Sequence, residues 1–244
     1  MGARPEVLAV LPARGGSRGI PRKHCRVLGD RPMIAHTIAQ ARECPLVTRV
    51  IVTTDDPEIA AISREHGAEV PYLRPPHLAT DTARLDDVFG HLQEFLIREE
   101  GYRYDYWVTL FPTSPFRNPG LLEQALRMML AAPRAGWLHC LAPLSPPPCH
   151  VFSWDGTVRR AFADAPHFRS ASPFFRTNMS IMLERAPVCP ENSGHLGLPL
   201  TPLEAVDLDE PEDWELAEAV VGHRLFPEPE EEIARYRGRE GRKP

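Results

Sequence analysis

The chain has 244 residues, of which 43% are hydrophobic, and its formal net charge is −5 at pH 7. Its 28 Lys and Arg residues are scattered and outnumbered by 33 Asp and Glu, so they offer no continuous basic face for nucleic acid. No apolar run approaches the roughly 18 residues of a membrane span. We therefore expect a globular protein that binds neither nucleic acid nor membrane.

Five cysteines are widely spaced and include no C-x-x-C pair; they are Cys25, Cys44, Cys140, Cys149 and Cys189. An odd number at such spacings favours reduced thiols over a disulfide framework or a zinc site. The apolar stretch at residues 7–13 is too short for a signal peptide and has no basic region of its own. These features predict a cytoplasmic protein.

Apolar runs alternate with helical patterns through the first 140 residues. Strands are predicted at 7–11, 49–53, 106–111 and 136–141, and helices at 32–43, 57–66, 85–98 and 119–131. Strands that lead into helices imply right-handed crossovers and a mostly parallel sheet covered on both faces. We expect a Rossmann-like, three-layer α/β sandwich.

Residues 143–175 interrupt this alternation with a proline-rich connector and two short strand-like runs around Asp155-Gly156, a favoured hairpin turn. We interpret them as an inserted arm, which either packs on the parent core or reaches a second subunit. Further strands are predicted at 178–183 and 203–208, and a helix at 211–221. Residues 1–226 are expected to form a single domain, and the charged tail at 227–244 to be disordered.

The stretch LPARGGSRGIPRKH at residues 11–24 follows the first predicted strand. Its spacing matches neither the Walker A loop nor the G-x-G-x-x-G motif of dinucleotide binders. Gly15, Gly16 and Gly19 let backbone N–H groups approach phosphate oxygens, and the neighbouring cations can neutralise charge. The stretch favours a polyphosphate site at the carboxyl end of the sheet, with a solvated basic turn as the alternative.

This loop resembles that of the acylneuraminate (CMP-nonulosonate) cytidylyltransferases, relatives of the CMP-Kdo synthetases. Other segments resemble that family's motifs in the same order: IVTTDDPEIA, GAEVPYLRPPHLATDTA, PTSPFRNP and VDLDEPEDWELAE, within residues 6–222. The resemblance implies transfer of CMP from CTP to a keto-acid sugar with Mg²⁺, by a homodimer whose arm at 143–175 carries the dimer contact.

By this resemblance, Arg14 and Arg18 lie along the CTP phosphates, and Lys23 holds the α-phosphate. Arg74 would meet the cytosine side of the pocket, although the residues alone favour a surface arginine before two prolines. The nucleotide-binding candidates are Ala13, Arg14, Gly15, Gly16, Ser17, Arg18, Lys23 and Arg74. The catalytic candidates are Arg14, Lys23 and Asp209.

The family places its Mg²⁺ carboxylates at positions matching Asp207 and Asp209. Two residues apart on a strand they would face opposite ways, so they can share a metal only if the strand has ended by Asp209, as Pro211 suggests. The alternative is that Asp209 caps the following helix, with Glu212 completing a capping box.

The sequence TDDPEIA predicts another helix start, with Asp55 and Asp56 at its N-terminus, and we assign no metal to them.

A nonulosonate carries a carboxylate, which favours an arginine in its pocket. The resemblance assigns Arg169 to this role on the arm, with a surface arginine as the alternative; Arg176 and Asn178 are further candidates. Phe111 replaces the Gln of the QPTSPLR motif common in sialic-acid enzymes, so an apolar ring stands where an amide could bind a sugar. His24 stands where Asn is usual.

Two other functions fit the same residues. A nucleotidylyltransferase for a different base, or for an acceptor such as a phosphonate, would share the phosphate-binding residues and differ in its pockets. A CTP-binding module without catalysis would keep the loop but would have no need of Lys23 together with the Asp207 and Asp209 pair. Base preference and pyrophosphate release separate these possibilities.

Overall fold

The computed structural model describes residues 4–17, 19–143, 152–154, 158–160, 175–187 and 189–223. The strands are β1 (Val7–Pro12), β2 (Val27–Leu28), β3 (Arg31–Pro32), β4 (Arg49–Thr53), β5 (Tyr106–Leu110), β6 (Ala135–Pro143), β7 (Phe152–Trp154), β8 (Val158–Arg160), β9 (Phe175–Arg185) and β10 (Gly194–Pro199). The helices are α1 (Met33–Glu43), α2 (Pro57–Glu65), α3 (Leu85–Glu100), α4 (Leu121–Ala131) and α5 (Pro211–Gly222).

A six-stranded sheet in the order β10-β6-β9-β5-β1-β4 forms the centre of the fold. β1 pairs in parallel with β4 and β5, and β6 pairs in parallel with β10. β9 runs antiparallel between β5 and β6. The predicted mostly parallel α/β sheet is confirmed, and β1, β4 and β5 end at the same edge.

Both faces of β1 are buried, as expected for the central strand of a parallel sheet. Val7, Ala9 and Leu11 face one apolar cluster, which contains residues of α1, α2 and α4. Leu8 and Val10 face a second cluster, which contains residues of α3. The sheet is therefore the middle layer of the predicted three-layer sandwich.

A third apolar cluster joins α5 to the end of the glycine loop. Trp214 of α5 is 1% exposed and packs in a group that includes Ile20, Phe116 and Leu208. This packing holds the loop, the turn after β5 and the segment before α5 together.

The predicted strand at 203–208 is wrong: residues 202–205 form a turn and residues 206–209 belong to no strand. Leu208 instead packs in the third cluster, and its N–H donates to the Thr113 carbonyl at 2.8 Å. The edge strand β10 was not predicted. The other predicted helices and strands agree with the structure to within three residues at their ends.

The hairpin predicted around Asp155-Gly156 is confirmed in its strands, since β7 and β8 pair antiparallel. The remainder of the predicted arm, apart from Pro143 and Phe175 at its ends, lies outside the described residues, as does the predicted tail at 227–244. Within the described part of the chain, no helix combines the length and apolarity needed to cross a membrane.

Candidate active site

A cavity of about 470 Å³ lies at the carboxyl ends of β1 and β5. Open α/β sheets bind their ligands at this edge. The predicted site residues that line the cavity are Arg14, Gly16, Ser17, Lys23, Arg74, Phe111 and Asp209. The fold thus brings candidates from four separate segments of the chain to one cavity.

Two glycines let the loop after β1 approach its neighbours closely. A Cβ atom on Gly15 would lie 2.7 Å from Oδ2 of Asp56, and one on Gly19 would lie 1.9 Å from the carbonyl oxygen of Asp209. The Gly15 N–H donates to Oδ1 of Asp55 at 3.0 Å. A side chain at either position would push the loop away from α2 or from the segment before α5.

The predicted helix start at Asp56 is confirmed. Its Oδ1 accepts hydrogen bonds from the N–H groups of Glu58 at 2.8 Å and Ile59 at 3.0 Å. Burial alone would raise the pKa of Asp56, but hydrogen bonds from Arg22 and from these two N–H groups bring it below its ordinary value. Asp56 therefore caps α2 and ties the loop to it through Arg22.

Arg14 and Lys23 each contact a carboxylate at the cavity. Arg14 Nη1 lies 2.6 Å from Asp81 Oδ1. Lys23 Nζ donates to Asp209 Oδ1 at 2.8 Å and to the Leu208 carbonyl at 3.0 Å. The Lys23 side chain is 11% exposed whereas that of Asp209 is 65% exposed, so the lysine is held by the fold and the carboxylate faces open space.

Arg74 is 7% exposed, so the interpretation as a surface arginine is wrong. Its Nη2 donates to the Thr53 carbonyl at 2.6 Å and its Nη1 to the Leu78 carbonyl at 3.4 Å. Its Nε has no hydrogen-bond partner among the described residues. Burial lowers the pKa of Arg74. A ligand in the cavity can therefore take up an unused donor of this side chain.

His24 lines the same cavity and is 6% exposed. Burial, followed by the charges of Lys23, Arg14 and Arg74, lowers the pKa of His24 to about 3. The ring is therefore neutral near pH 7, and Nδ1 has no partner within the part of the chain that the structure describes. A neutral imidazole can exchange a hydrogen bond with a ligand without repelling the cations.

Residues 206–209 form no strand, so the pleat does not force Asp207 and Asp209 to opposite sides. Burial raises the pKa of Asp207, a hydrogen bond from the Thr113 side chain lowers it, and the nearby charge of Asp209 raises it. Oδ1 of Asp207 is buried without a hydrogen-bond partner among the described residues. A carboxylate oxygen lacking a donor, close to a second carboxylate, suits Mg²⁺, which prefers oxygen ligands.

Among the described residues, no group of three or more His, Cys, Asp and Glu side chains is placed to hold a metal. Mg²⁺ commonly takes one or two carboxylates and fills its other positions with water and phosphate, so the pair fits this ion.

The alternative that Asp209 caps α5 is wrong. The N-cap is Glu210, and Asp213 completes the capping box. Oδ2 of Asp213 accepts hydrogen bonds from the N–H groups of Glu210 at 2.8 Å and of Asp209 at 3.0 Å. The helix start therefore fixes the backbone of Asp209 and leaves its carboxylate at the cavity.

Sequence reasoning missed the role of Arg117, which is 1% exposed. Its guanidinium donates to the Ser180 carbonyl at 2.7 Å and 3.0 Å and to the Phe111 carbonyl. It also donates to the side-chain oxygens of Thr37 and Gln40, each at 3.2 Å. Burial lowers its pKa to about 10. Arg117 belongs to the PTSPFR motif, but the sequence does not show which distant carbonyls it satisfies.

Several predicted residues are not brought to the cavity lining. Asn178 is buried with its amide bonded to Ala205 and Ser180, at 3.0 Å and 2.8 Å, and Arg176 is exposed on β9. Ala13 and Gly15 lie next to lining residues in the chain, and Asp207 lies two residues before the lining residue Asp209. Arg18 and Arg169 lie outside the described residues, and their roles stay predictions.

Comparisons with known proteins agree with this fold. Residues 8–147 match a family model described as Cytidylyltransferase. The chain is 32% identical over 227 residues to the CMP-N,N'-diacetyllegionaminic acid synthase of Legionella pneumophila, covering 88% of this chain and 96% of that protein. It is 35% identical over 125 residues to an N-acylneuraminate cytidylyltransferase of Escherichia coli, covering 51% of this chain and 28% of that protein.

A solved structure of CMP:2-keto-3-deoxy-manno-octonic acid synthetase complexed with CTP has the same fold, with a TM-score of 0.66 at 18% identity over 90% of this chain and 99% of that one. The family model and the named relatives are cytidylyltransferases, which are nucleotidyltransferases, and the cation-lined cavity at the carboxyl edge of the α/β sheet suits their triphosphate substrate. The chain belongs to the cytidylyltransferase family.

Proposed function

We propose that this enzyme transfers CMP from CTP to the anomeric hydroxyl of a nonulosonate, a nine-carbon α-keto acid sugar, and releases pyrophosphate. The observation that carries the proposal is that Arg14, Lys23 and Arg74 share one cavity with Asp209. The names of the relatives, which are a legionaminic acid synthase and an N-acylneuraminate cytidylyltransferase, support a sugar of this class.

Charge neutralisation is the main task of the protein in this reaction, because phosphoryl-type transfer is catalysed largely by positioning and electrostatics. The acceptor hydroxyl oxygen forms a bond to the α-phosphorus, the bond from that phosphorus to the pyrophosphate oxygen breaks, and the hydroxyl proton passes to solvent. Arg14 neutralises the triphosphate, and Lys23 places positive charge near the α-phosphate. Arg74 and the neutral ring of His24 hydrogen-bond the nucleotide.

Asp207 and Asp209 would hold Mg²⁺. Asp207 has a carboxylate oxygen that accepts no hydrogen bond from the described residues, and the carboxylate of Asp209 is exposed. The bound ion would supply further positive charge to the phosphates. Lys23, which contacts Asp209 through its Nζ, keeps this carboxylate beside the glycine loop.

Pyrophosphate release with CTP and Mg²⁺ tests the proposal. The acceptors are N-acetylneuraminate, legionaminate, pseudaminate, KDN and Kdo, and the other three nucleoside triphosphates serve as controls. We expect release with CTP and at least one nonulosonate. Release with another triphosphate would support a nucleotidylyltransferase for a different base. CTP binding without release for any acceptor would support a binding module and contradict the proposal.

We also propose that the enzyme is a cytoplasmic homodimer. The pairing of β7 and β8 as a separate two-stranded sheet supports a dimer contact through the arm, because an isolated hairpin is marginal in water without something to pack on. The free thiols of Cys25, Cys44, Cys140 and Cys189 support a reducing compartment. Sedimentation equilibrium of the full chain tests the dimer, and a monomer at micromolar concentration would contradict it.

A further inference from the structure

The two carboxylates of the proposed metal pair, Asp207 and Asp209, lie on a segment outside the sheet. Residues 206–209 belong to no strand and lead into α5. A metal ion binds more tightly to ligands that are already fixed, because loose side chains lose conformational freedom when they bind it. Contacts from other parts of the fold must therefore hold the two carboxylates in place.

Asp209 is held at its backbone and at its side chain. Its N–H donates to Oδ2 of Asp213 at 3.0 Å, in the first turn of α5. Its own Oδ1 accepts a hydrogen bond from Nζ of Lys23 at 2.8 Å. Asp209 is thus fixed between the start of α5 and the glycine loop.

Asp207 is held by Thr113, which lies in the turn after β5. The side chain of Thr113 hydrogen-bonds the Asp207 carboxylate, and because an ionised carboxylate can only accept, the hydroxyl is the donor. Oδ1 of Asp207 has no partner among the described residues, so the bond from Thr113 falls on Oδ2. The hydroxyl therefore occupies one carboxylate oxygen and leaves the other unpaired.

Thr113 also holds the backbone next to this carboxylate. Its carbonyl accepts the N–H of Leu208, the residue after Asp207, at 2.8 Å. Leu208 is fully buried and packs in the same cluster as Trp214 and Phe116, so its peptide group has a fixed position. One contact to the side chain and one to the next peptide group together restrict where the carboxylate of Asp207 lies and how it is turned.

A hydroxyl in this place suits a metal site. Thr113 lines the same cavity as Asp209, so the contact lies at the proposed site. The hydroxyl carries no charge and therefore does not cancel the attraction of the carboxylate for a cation. Carboxylates that bind metals are themselves hydrogen-bonded by neighbouring groups, and loss of such a group typically weakens metal binding by about 10- to 100-fold.

We propose that Thr113 is a positioning residue for Mg²⁺, whose hydroxyl holds Oδ2 of Asp207 so that Oδ1 stays available to the ion. This inference rests on the proposed function, in which Asp207 and Asp209 hold the metal. Without the hydroxyl the carboxylate can turn, and fixing it again weakens metal binding. The hydroxyl therefore acts on the metal-dependent part of CTP binding and leaves the metal-independent part unchanged.

Two variants separate the hydroxyl from the rest of the residue. Thr113→Val keeps the shape and the backbone bond to Leu208 but removes the hydroxyl, and Thr113→Ser keeps the hydroxyl. Calorimetry measures the CTP dissociation constant with excess Mg²⁺ and again with EDTA. We expect Mg²⁺ to tighten CTP binding to the native enzyme. Thr113→Val should reduce this gain by about tenfold, and Thr113→Ser should retain most of it.

The dissociation constant with EDTA should be the same in all three proteins, which shows that the variants are folded. An unchanged gain in Thr113→Val, the same loss in Thr113→Ser, or an equal loss with Mg²⁺ and with EDTA would each overturn this inference and leave the proposed function standing. A native enzyme that gains nothing from Mg²⁺ would overturn the proposed metal pair together with this inference. A native enzyme that shows the gain but releases no pyrophosphate with any acceptor would overturn the proposed function alone.

Discussion

The side of the cavity next to the end of β1, the polar flank, is lined by polar residues of a single loop. The side next to the end of β5, the apolar flank, is lined by apolar residues that other elements hold in place. On the first, Arg14 and Lys23 belong to one loop and each contacts a carboxylate. On the second, Phe111 depends on Arg117, whose other partners lie on β9 and α1. The comparison teaches that positive charge can be placed at a cavity by a local loop, while the shape of its apolar side depends on packing between distant segments.

The strongest test of the polar flank is Asp209→Asn. We expect kcat to fall by at least about 100-fold, because the variant loses a charge from the proposed metal pair and from the contact with Lys23. The fold should persist, since the side chain is 65% exposed and does not cap α5. Pyrophosphate release at saturating CTP and Mg²⁺ measures the effect, with Asp86→Asn, an exposed carboxylate of α3, as the control. A near-normal rate would remove Asp209 from the mechanism.

Arg117→Met should remove the hydrogen bonds that hold the turn after β5 in place. This change leaves the carbonyl oxygens of Phe111 and Ser180 without their donor, so we expect a loss of about 3 kcal/mol in the free energy of unfolding. Denaturant unfolding measures it. Arg127→Met, which removes an exposed pair with Glu123, should change the free energy by less than about 0.5 kcal/mol. Equal effects would show that Arg117 does not support the turn.

Lowering the pH should reduce the free energy of unfolding through the buried His24. Its pKa in the folded state is about 3, below the ordinary 6.5, because of burial and of the charges of Lys23, Arg14 and Arg74, with Asp56 opposing them. The neutral ring therefore contributes stability that is present above pH 6.5 and lost as the pH falls toward 3. Between pH 7 and pH 5 this loss is about 2 kcal/mol.

The variant His24→Asn should lack this loss, so its free energy of unfolding should decline about 2 kcal/mol less over the same range. Denaturant curves at the two pH values measure the difference. The same decline in both proteins would mean that His24 titrates normally in the fold.

The smallest expected effect concerns Asp81, whose carboxylate is paired with Arg14, a cation of the polar flank. Asp81→Asn should tighten CTP binding, because it frees Arg14 from its pair with Asp81. The gain should be only about two- to fivefold, because the pair is partly exposed and such pairs contribute little. Calorimetric titration at low and high salt measures the change, which should shrink at high salt. Weaker CTP binding would show that Asp81 itself contributes to the nucleotide site.

The failures of sequence reasoning have a common cause. The apolar spacing at 203–208 favours a strand, yet Leu208 is buried against α5 and the turn after β5, and nothing local to it shows this. β10 contains Gly194, Gly197 and Pro199, which are poor strand formers, and its pairing with β6 comes from the sheet. In both segments, contacts with distant residues overrode the local pattern.

The amino-acid sequence by itself determined the α/β alternation, the glycine loop and the Asp56 cap, because each depends on residues a few positions apart in the chain. Only the tertiary structure decided that Arg74 is buried, that His24 is neutral, and that Arg117 supports the turn after β5. Burial, the distances between charges and the hydrogen bonding of carbonyl groups depend on which distant segments meet. They are determined only once the chain has packed.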